Sequence, residues 1–246
     1  MKKKKSAVLR LVLGLLALLV LLELGYVIYS FAHTSHALRD AEEYRLAYPE
    51  ITIVQREDGA VSLLPPDGAA NGIGIVFYPG ASVEPLAYVP LLSALAEEGY
   101  SVYIPQFPCG MAFLDTDAAA DILAAHPETE GWYIAGHSLG GRCASQFAAA
   151  NEDALRGVIV VSSAVDSALA DTDLPLLMLY GDRDGIYHGV EAEDALPENT
   201  TIARIEGGNH AQFGDYGHQP MDRDATLSAE EQRALGAEAI LSWLAN

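Results

Sequence analysis

Gly136-His137-Ser138-Leu139-Gly140-Gly141 sets a serine among small residues, directly after the apolar run Trp132 to Ala135 and directly before a helix-forming stretch. In that setting GxSxG marks a strained strand–turn–helix elbow that stands the serine hydroxyl at a sheet edge. The helix N-terminus behind it adds positive potential where negative charge develops. A serine hydroxyl is a poor nucleophile unless a base takes its proton and a carboxylate orients that base. Seven histidines are available. His33 and His36 lie near the N-terminus, His126 ends a helix, and His137 adjoins the serine at an elbow where neighbouring side chains diverge. His188 follows an acidic turn, while His210 and His218 follow the last strand. Asp182 and Asp184 come directly after the apolar run Leu176 to Tyr180. The oxyanion needs backbone donors: the amide of Leu139 is one, and the loop Pro79-Gly80-Ala81 supplies the other, Ala81 in preference to Gly80.

The elements that must gather these residues alternate along the chain. Ile51 to Arg56 and Val61 to Leu64 read as a hairpin turned at Asp58-Gly59. Ile73 to Tyr78, Tyr100 to Ile104, Trp132 to Ala135, Val158 to Val161, Leu176 to Tyr180 and Thr201 to Ile205 read as strands. Between them, helices are expected from Tyr88 to Leu95, Asp115 to Ala125, Leu139 to Ala150 and Gly189 to Leu196. Ser228 and Glu231 form a capping box that opens a last helix. Strands alternating with helices imply an α/β domain, a mostly parallel sheet covered on both faces. Ligands bind such sheets at the carboxyl ends of the strands, where all the reactive candidates fall.

On these motifs the chain resembles the α/β-hydrolase superfamily, and more narrowly small bacterial α/β-hydrolase domain proteins with an N-terminal membrane segment. The similarity covers about residues 72–244 and is carried by Phe77-Tyr78-Pro79-Gly80-Ala81, by Gly136 to Gly141, by Leu179-Tyr180-Gly181-Asp182-Arg183-Asp184-Gly185, and by Gly207-Gly208-Asn209-His210-Ala211-Gln212-Phe213-Gly214. The resemblance implies His210 as base, with His218 as its competitor. It implies Asp184, the fourth residue of a Gly-x-x-Asp turn, as acid, with Asp182 in reserve. Pro79-Gly80-Ala81 departs from the family's common His-Gly pair, which leaves the amide donors but removes one orienting side chain. Caps in this superfamily commonly follow the strand after the nucleophile helix. Ser163 to Pro175 is too short to hold one, so little or no lid is expected unless Pro105 to Leu114 or Phe213 to Arg223 folds over the site.

Charge divides the chain. Lys2 to Lys5 and Arg10 precede or open the apolar stretch Leu11 to Tyr29, broken only by Glu23, and no other lysine occurs. Nineteen residues cross a hydrocarbon core of about 30 Å. The basic cluster stays cytoplasmic by the positive-inside rule, so the expected organisation is a tip and transmembrane anchor over 1–30, a stalk over 31–50 and the hydrolase domain over 51–246. The alternative is a signal peptide cut near Ser30-Phe31-Ala32. From Phe31 onward 9 Arg face 33 Asp and Glu, which excludes nucleic acid as a partner. No dinucleotide or P-loop fingerprint and no metal-ligand set occurs, so no cofactor is expected; His33 and His36 alone do not make a metal site, and the turn after Gly181 lacks calcium ligands. Cys109 and Cys143 are read either as a disulfide or as a buried thiol pair. Gln212, Phe213, Asp215 and Tyr216 either line the cleft or belong to an ordered loop.

The expectation is a membrane-tethered serine hydrolase cleaving a small or exposed carboxylic ester outside the cytoplasm. Amide or peptide cleavage by the same triad, and an inactive hydrolase fold used for binding, are the alternatives.

Overall fold

The structure is a computed structural model that describes residues 34–188 and 196–246, together with Gly14 and Gly25. Among the described residues eight strands form one sheet in the order β1-β2-β4-β3-β5-β6-β7-β8. They are β1 Thr52–Gln55, β2 Val61–Leu64, β3 Ile73–Tyr78, β4 Ser101–Ile104, β5 Gly131–His137, β6 Gly157–Val161, β7 Leu176–Gly181 and β8 Thr200–Ile205. β1 and β2 form the expected hairpin and β2 runs antiparallel to β4; every other neighbouring pair is parallel.

Successive side chains of a strand point to opposite faces, and the apolar runs use both. Ile75 and Phe77, Ile159 and Val161, and Leu177 and Leu179 enter one core. Val76 and Tyr78, Val158 and Val160, and Leu176 and Met178 enter the other. Helices α2 (Val89–Glu97) and α5 (Ala229–Leu244) cover the first face; α3 (Ala118–Ala125) and α4 (Leu139–Ala150) cover the second. The capping box expected at Ser228 and Glu231 is present. The helix expected from Asp115 begins later, at Ala118, because 3-10 turns occupy Pro108–Gly110 and Ala112–Leu114 and the Asp115 backbone is non-helical.

The stretch read as a stalk is part of the domain from Ser35 onward. Asp40 caps a short helix, α1 (Ala41–Ala47), by accepting from the amides of Glu42 and Glu43. Tyr44 of that helix is fully buried and donates to Asp215 Oδ2 at 2.9 Å. Ser35 bridges Val83, and the Leu38 amide donates to the Asp215 carbonyl. A free spacer would bury none of this.

Ser163 to Pro175 holds one short 3-10 turn, Ser167–Asp171, whose Leu169 drops into the core. Cys109 and Cys143 are both free thiols, so the disulfide reading is not realised. Among the described residues no helix is long and apolar enough to cross a membrane. The expected span Leu11 to Tyr29 lies outside the described residues except for Gly14 and Gly25, as do His33 and all but the last residue of the expected helix Gly189 to Leu196.

Candidate active site

Ser138 joins β5 to α4 with φ 53° and ψ −127°, a conformation that costs an L-residue of order 1–3 kcal/mol. The glycines around it make the turn sterically possible. A Cβ on Gly136 would stand 2.5 Å from the Gly140 carbonyl carbon, and one on Gly140 would stand 2.1 Å from the Tyr78 oxygen. The Ser138 side chain makes no capping bond to its own helix. Among the described residues five non-glycine residues have positive φ: Ser82, Cys109, Ser138 and Ser162 follow the carboxyl ends of β3, β4, β5 and β6, and Met221 lies between β8 and α5. Strain gathers at that edge, as it does at functional sites.

His210 and Asp184 meet there. His210 Nδ1 lies 2.9 Å from Asp184 Oδ2, with both side chains 1% exposed. The other carboxylate oxygen accepts from the amides of Ile186 and Tyr187 at 2.8 and 2.7 Å, so the acid cannot swing away. His210 Nε2 is buried with no hydrogen-bond partner among the described residues. Ser138 Oγ is not bonded to it, a contact that commonly closes only with substrate. The two are nonetheless linked through His137, next to the serine in the chain, whose ring lies 4.6 Å from that of His210.

The rivals do other work. Asp182 accepts from the Gly207 amide at 2.7 Å and pairs with Arg204; chiefly the Gly207 bond holds its carboxyl below the ordinary aspartate value. His218 and His188 are exposed, His126 pairs with Glu128, and His36 pairs with Glu84. In the loop after β3, the Gly80 amide donates to Tyr88 Oη, Ser82 to the Gly110 carbonyl and Val83 to the Gly80 carbonyl. Ala81 is left as the loop's amide without an acceptor among the described residues, and the Leu139 amide is likewise unspent.

Phe213, Asp215 and Tyr216 are buried in the domain, Asp215 between Tyr44 and Arg233, and of the four only Gln212 stays partly exposed. Two contributors were not foreseen. Asp222 Oδ1 accepts from the Gly185 amide and Oδ2 from the Ala211 amide, both at 2.9 Å, clamping together the residues that directly follow Asp184 and His210. A loop aspartate in so acidic a chain carries no signal. Tyr88 read as one member of an apolar helical stripe; the clue was its hydroxyl, which needs a partner when the ring is buried.

A cavity of about 1030 Å³ between α2 and α5 is lined by Pro90, Ser93, Glu97, Arg233 and Glu238 and by none of the reactive residues. A smaller one of about 500 Å³ opens beside Asp184, Tyr187 and Arg223. Size alone does not find the chemistry here; the strained serine and the buried acid–imidazole pair do.

A family model described as the alpha/beta hydrolase family matches residues 74–234. No curated protein matches the chain. Among solved structures, an alpha/beta hydrolase enzyme, MGS-MChE2, from the metagenome of lagoon sediments at Mar Chica, Morocco, is similar at 15% identity and TM-score 0.59, covering 79% of this chain and 98% of its own. The esterase domain of a Rhodothermus marinus protein is similar at 19% identity and TM-score 0.57, over 78% and 96%. Est1E from Butyrivibrio proteoclasticus is similar at 15% identity and TM-score 0.54, over 80% and 100%. At these identities the likeness is one of fold.

Proposed function

Because the chain belongs to the alpha/beta hydrolase family, we propose that it is a serine hydrolase of carboxylic esters, with Ser138 as nucleophile, His210 as base and Asp184 as the acid that orients the base. One observation carries the reading: a buried imidazole held at Nδ1 by a carboxylate, its Nε2 unpartnered, at the same sheet edge as a strained serine. With Nδ1–H donated to Asp184, Nε2 is the basic nitrogen and takes the Ser138 proton as the oxygen attacks the carbonyl. The amides of Ala81 and Leu139 receive the oxyanion, and the acyl-enzyme is then released by water that His210 deprotonates. The absence of a cap between β6 and β7 favours small esters or the exposed end of a larger one. The esterase names of the similar folds agree with this class.

The domain is proposed to act outside the cytoplasm, tethered by Leu11 to Tyr29 behind the basic cluster Lys2 to Lys5. Protease treatment of intact cells should then remove the domain while leaving cytoplasmic proteins whole. The catalytic reading is tested by fluorophosphonate labelling: the wild type labels and Ser138→Ala does not. A panel of ester and amide substrates of graded chain length should show turnover of esters. Turnover of amides alone would favour the peptidase reading, and a folded wild type that resists labelling would leave only a binding role.

A further inference from the structure

Beneath the site runs a chain of hydrogen bonds built from residues that the proposed reaction leaves idle. Tyr88 Oη lies 2.9 Å from the Gly80 amide and 2.9 Å from His137 Nδ1. His137 Nε2 lies 3.1 Å from the carbonyl oxygen of His210. Tyr88 is 0% and His137 1% exposed, so water does not stand in for any of these partners.

Geometry fixes the direction of every bond. A carbonyl oxygen only accepts, so His137 Nε2 carries the hydrogen. Nδ1 of the neutral ring is then an acceptor, and the Tyr88 hydroxyl donates to it. The Tyr88 oxygen is left to accept from the Gly80 N–H. The result is one sequence, Gly80 N–H to Tyr88 O–H to His137 and on to the His210 carbonyl, in which each donor meets an acceptor. A charged His137 would break it, since two N–H groups would converge on the Tyr88 oxygen and strand the phenol hydrogen in the core. Burial first, and the neighbouring His210 second, hold the His137 pKa well below the ordinary histidine value, and desolvation pushes that of Tyr88 up, so both groups stay neutral.

The two ends of this chain belong to different halves of the site. Gly80 precedes Ala81, and His210 is the base. By drawing the Gly80 amide inward, Tyr88 fixes the peptide plane that precedes the Ala81 amide. The fit has no slack: a Cβ on Gly80 would stand 3.1 Å from both Tyr88 Oη and His137 Nδ1, and 3.5 Å from Ser138 Cβ. We infer that Tyr88 and His137 are positioning residues that lock the oxyanion loop and the backbone of the base into one frame. The kinetic consequence rests on the Ser138–His210 reading above; the direction of the chain does not.

Two measurements test it. Tyr88→Phe keeps the ring and removes both bonds of the hydroxyl. With active sites titrated by fluorophosphonate, kcat on a chromogenic ester should fall by about tenfold or more, with KM held within about twofold, because the lost alignment acts on the transition state. An unchanged kcat per titrated site, whatever happens to the melting temperature, would overturn the positioning role. Nitrogen-15 NMR of histidine-labelled wild type should show His137 as the Nε2–H tautomer, not titrating between about pH 5 and pH 9. An Nδ1–H tautomer or a titrating ring would overturn the chain, and this readout survives even if Tyr88→Phe fails to fold. A wild type that does not label would defeat the hydrolase reading, whereas the NMR result would still decide the hydrogen-bond chain.

Discussion

Two aspartates two residues apart are separated by what they hold. Asp184 spends one oxygen on His210 and the other on two amides, while Asp182 spends its own on Gly207 and the exposed Arg204. Asp184→Asn is therefore expected to lower kcat by about 10⁴, since the amide favours the wrong imidazole tautomer, with the fold intact. Asp182→Asn should leave kcat within about twofold. Its effect falls on stability, and the sign follows from the depressed folded-state pKa of Asp182. The stabilisation is present above the unfolded value of about 3.9 and is lost as pH falls through the folded one. Melting curves of the wild type and Asp182→Asn should thus differ at neutral pH and converge in acid. The elbow at Ser138 was legible from its flanking glycines, because steric exclusion in a tight turn leaves a mark in sequence. Tyr88 was not, because a buried hydroxyl is written with the same letter as a plain core aromatic.

Strands were legible as elements because a strand buried on both faces is a continuous apolar run, and β3 and α4 fall where the pattern put them. Short 3-10 turns were not, since Pro108–Gly110 and Ala112–Leu114 carry no periodicity and are held by loop bonds such as Ser82 N–H to the Gly110 carbonyl. The loops that bear Asp184 and His210 leave adjacent parallel strands, β7 and β8, yet the sheet alone does not set their separation. Asp222 clamps them by accepting from the amide after each, beside the bonds from the Arg183 amide to the Gly208 carbonyl and from the Gly207 amide to Asp182. Asp222→Ala removes both clamping bonds, and kcat should drop by about 10- to 100-fold, the scale associated with misplacing a catalytic group by about an ångström. Steady-state kinetics with titrated active sites checks this, and a variant as fast as the wild type would show that the loops hold their places without the clamp.

The chain as a whole is −20 in net charge, and all its lysines lie at the N-terminus; from Phe31 onward 9 Arg face 33 Asp and Glu, so the domain that bears the site is strongly acidic. Such a field repels anionic substrates over roughly 10 Å at 0.1 M ionic strength. kcat/KM for an ester with an anionic acyl group should rise as salt is added from about 10 to 150 mM, while a neutral ester of the same size stays level. The start of the domain was only half legible. Residues 31–50 read as a spacer because their polar, helical composition suits one, but Tyr44 and Ser35 tie the segment to Asp215 and Val83, contacts between residues far apart in sequence. What the molecule does with this architecture is decided most directly by intact-mass spectrometry during turnover of a chromogenic ester. The account predicts a burst of about one product per chain and a transient gain of one acyl mass, mapped to the peptide containing Ser138 and absent from Ser138→Ala. A steady release without a burst or trapped acyl group under acidic quench, or an acyl mass on any other residue, would contradict it.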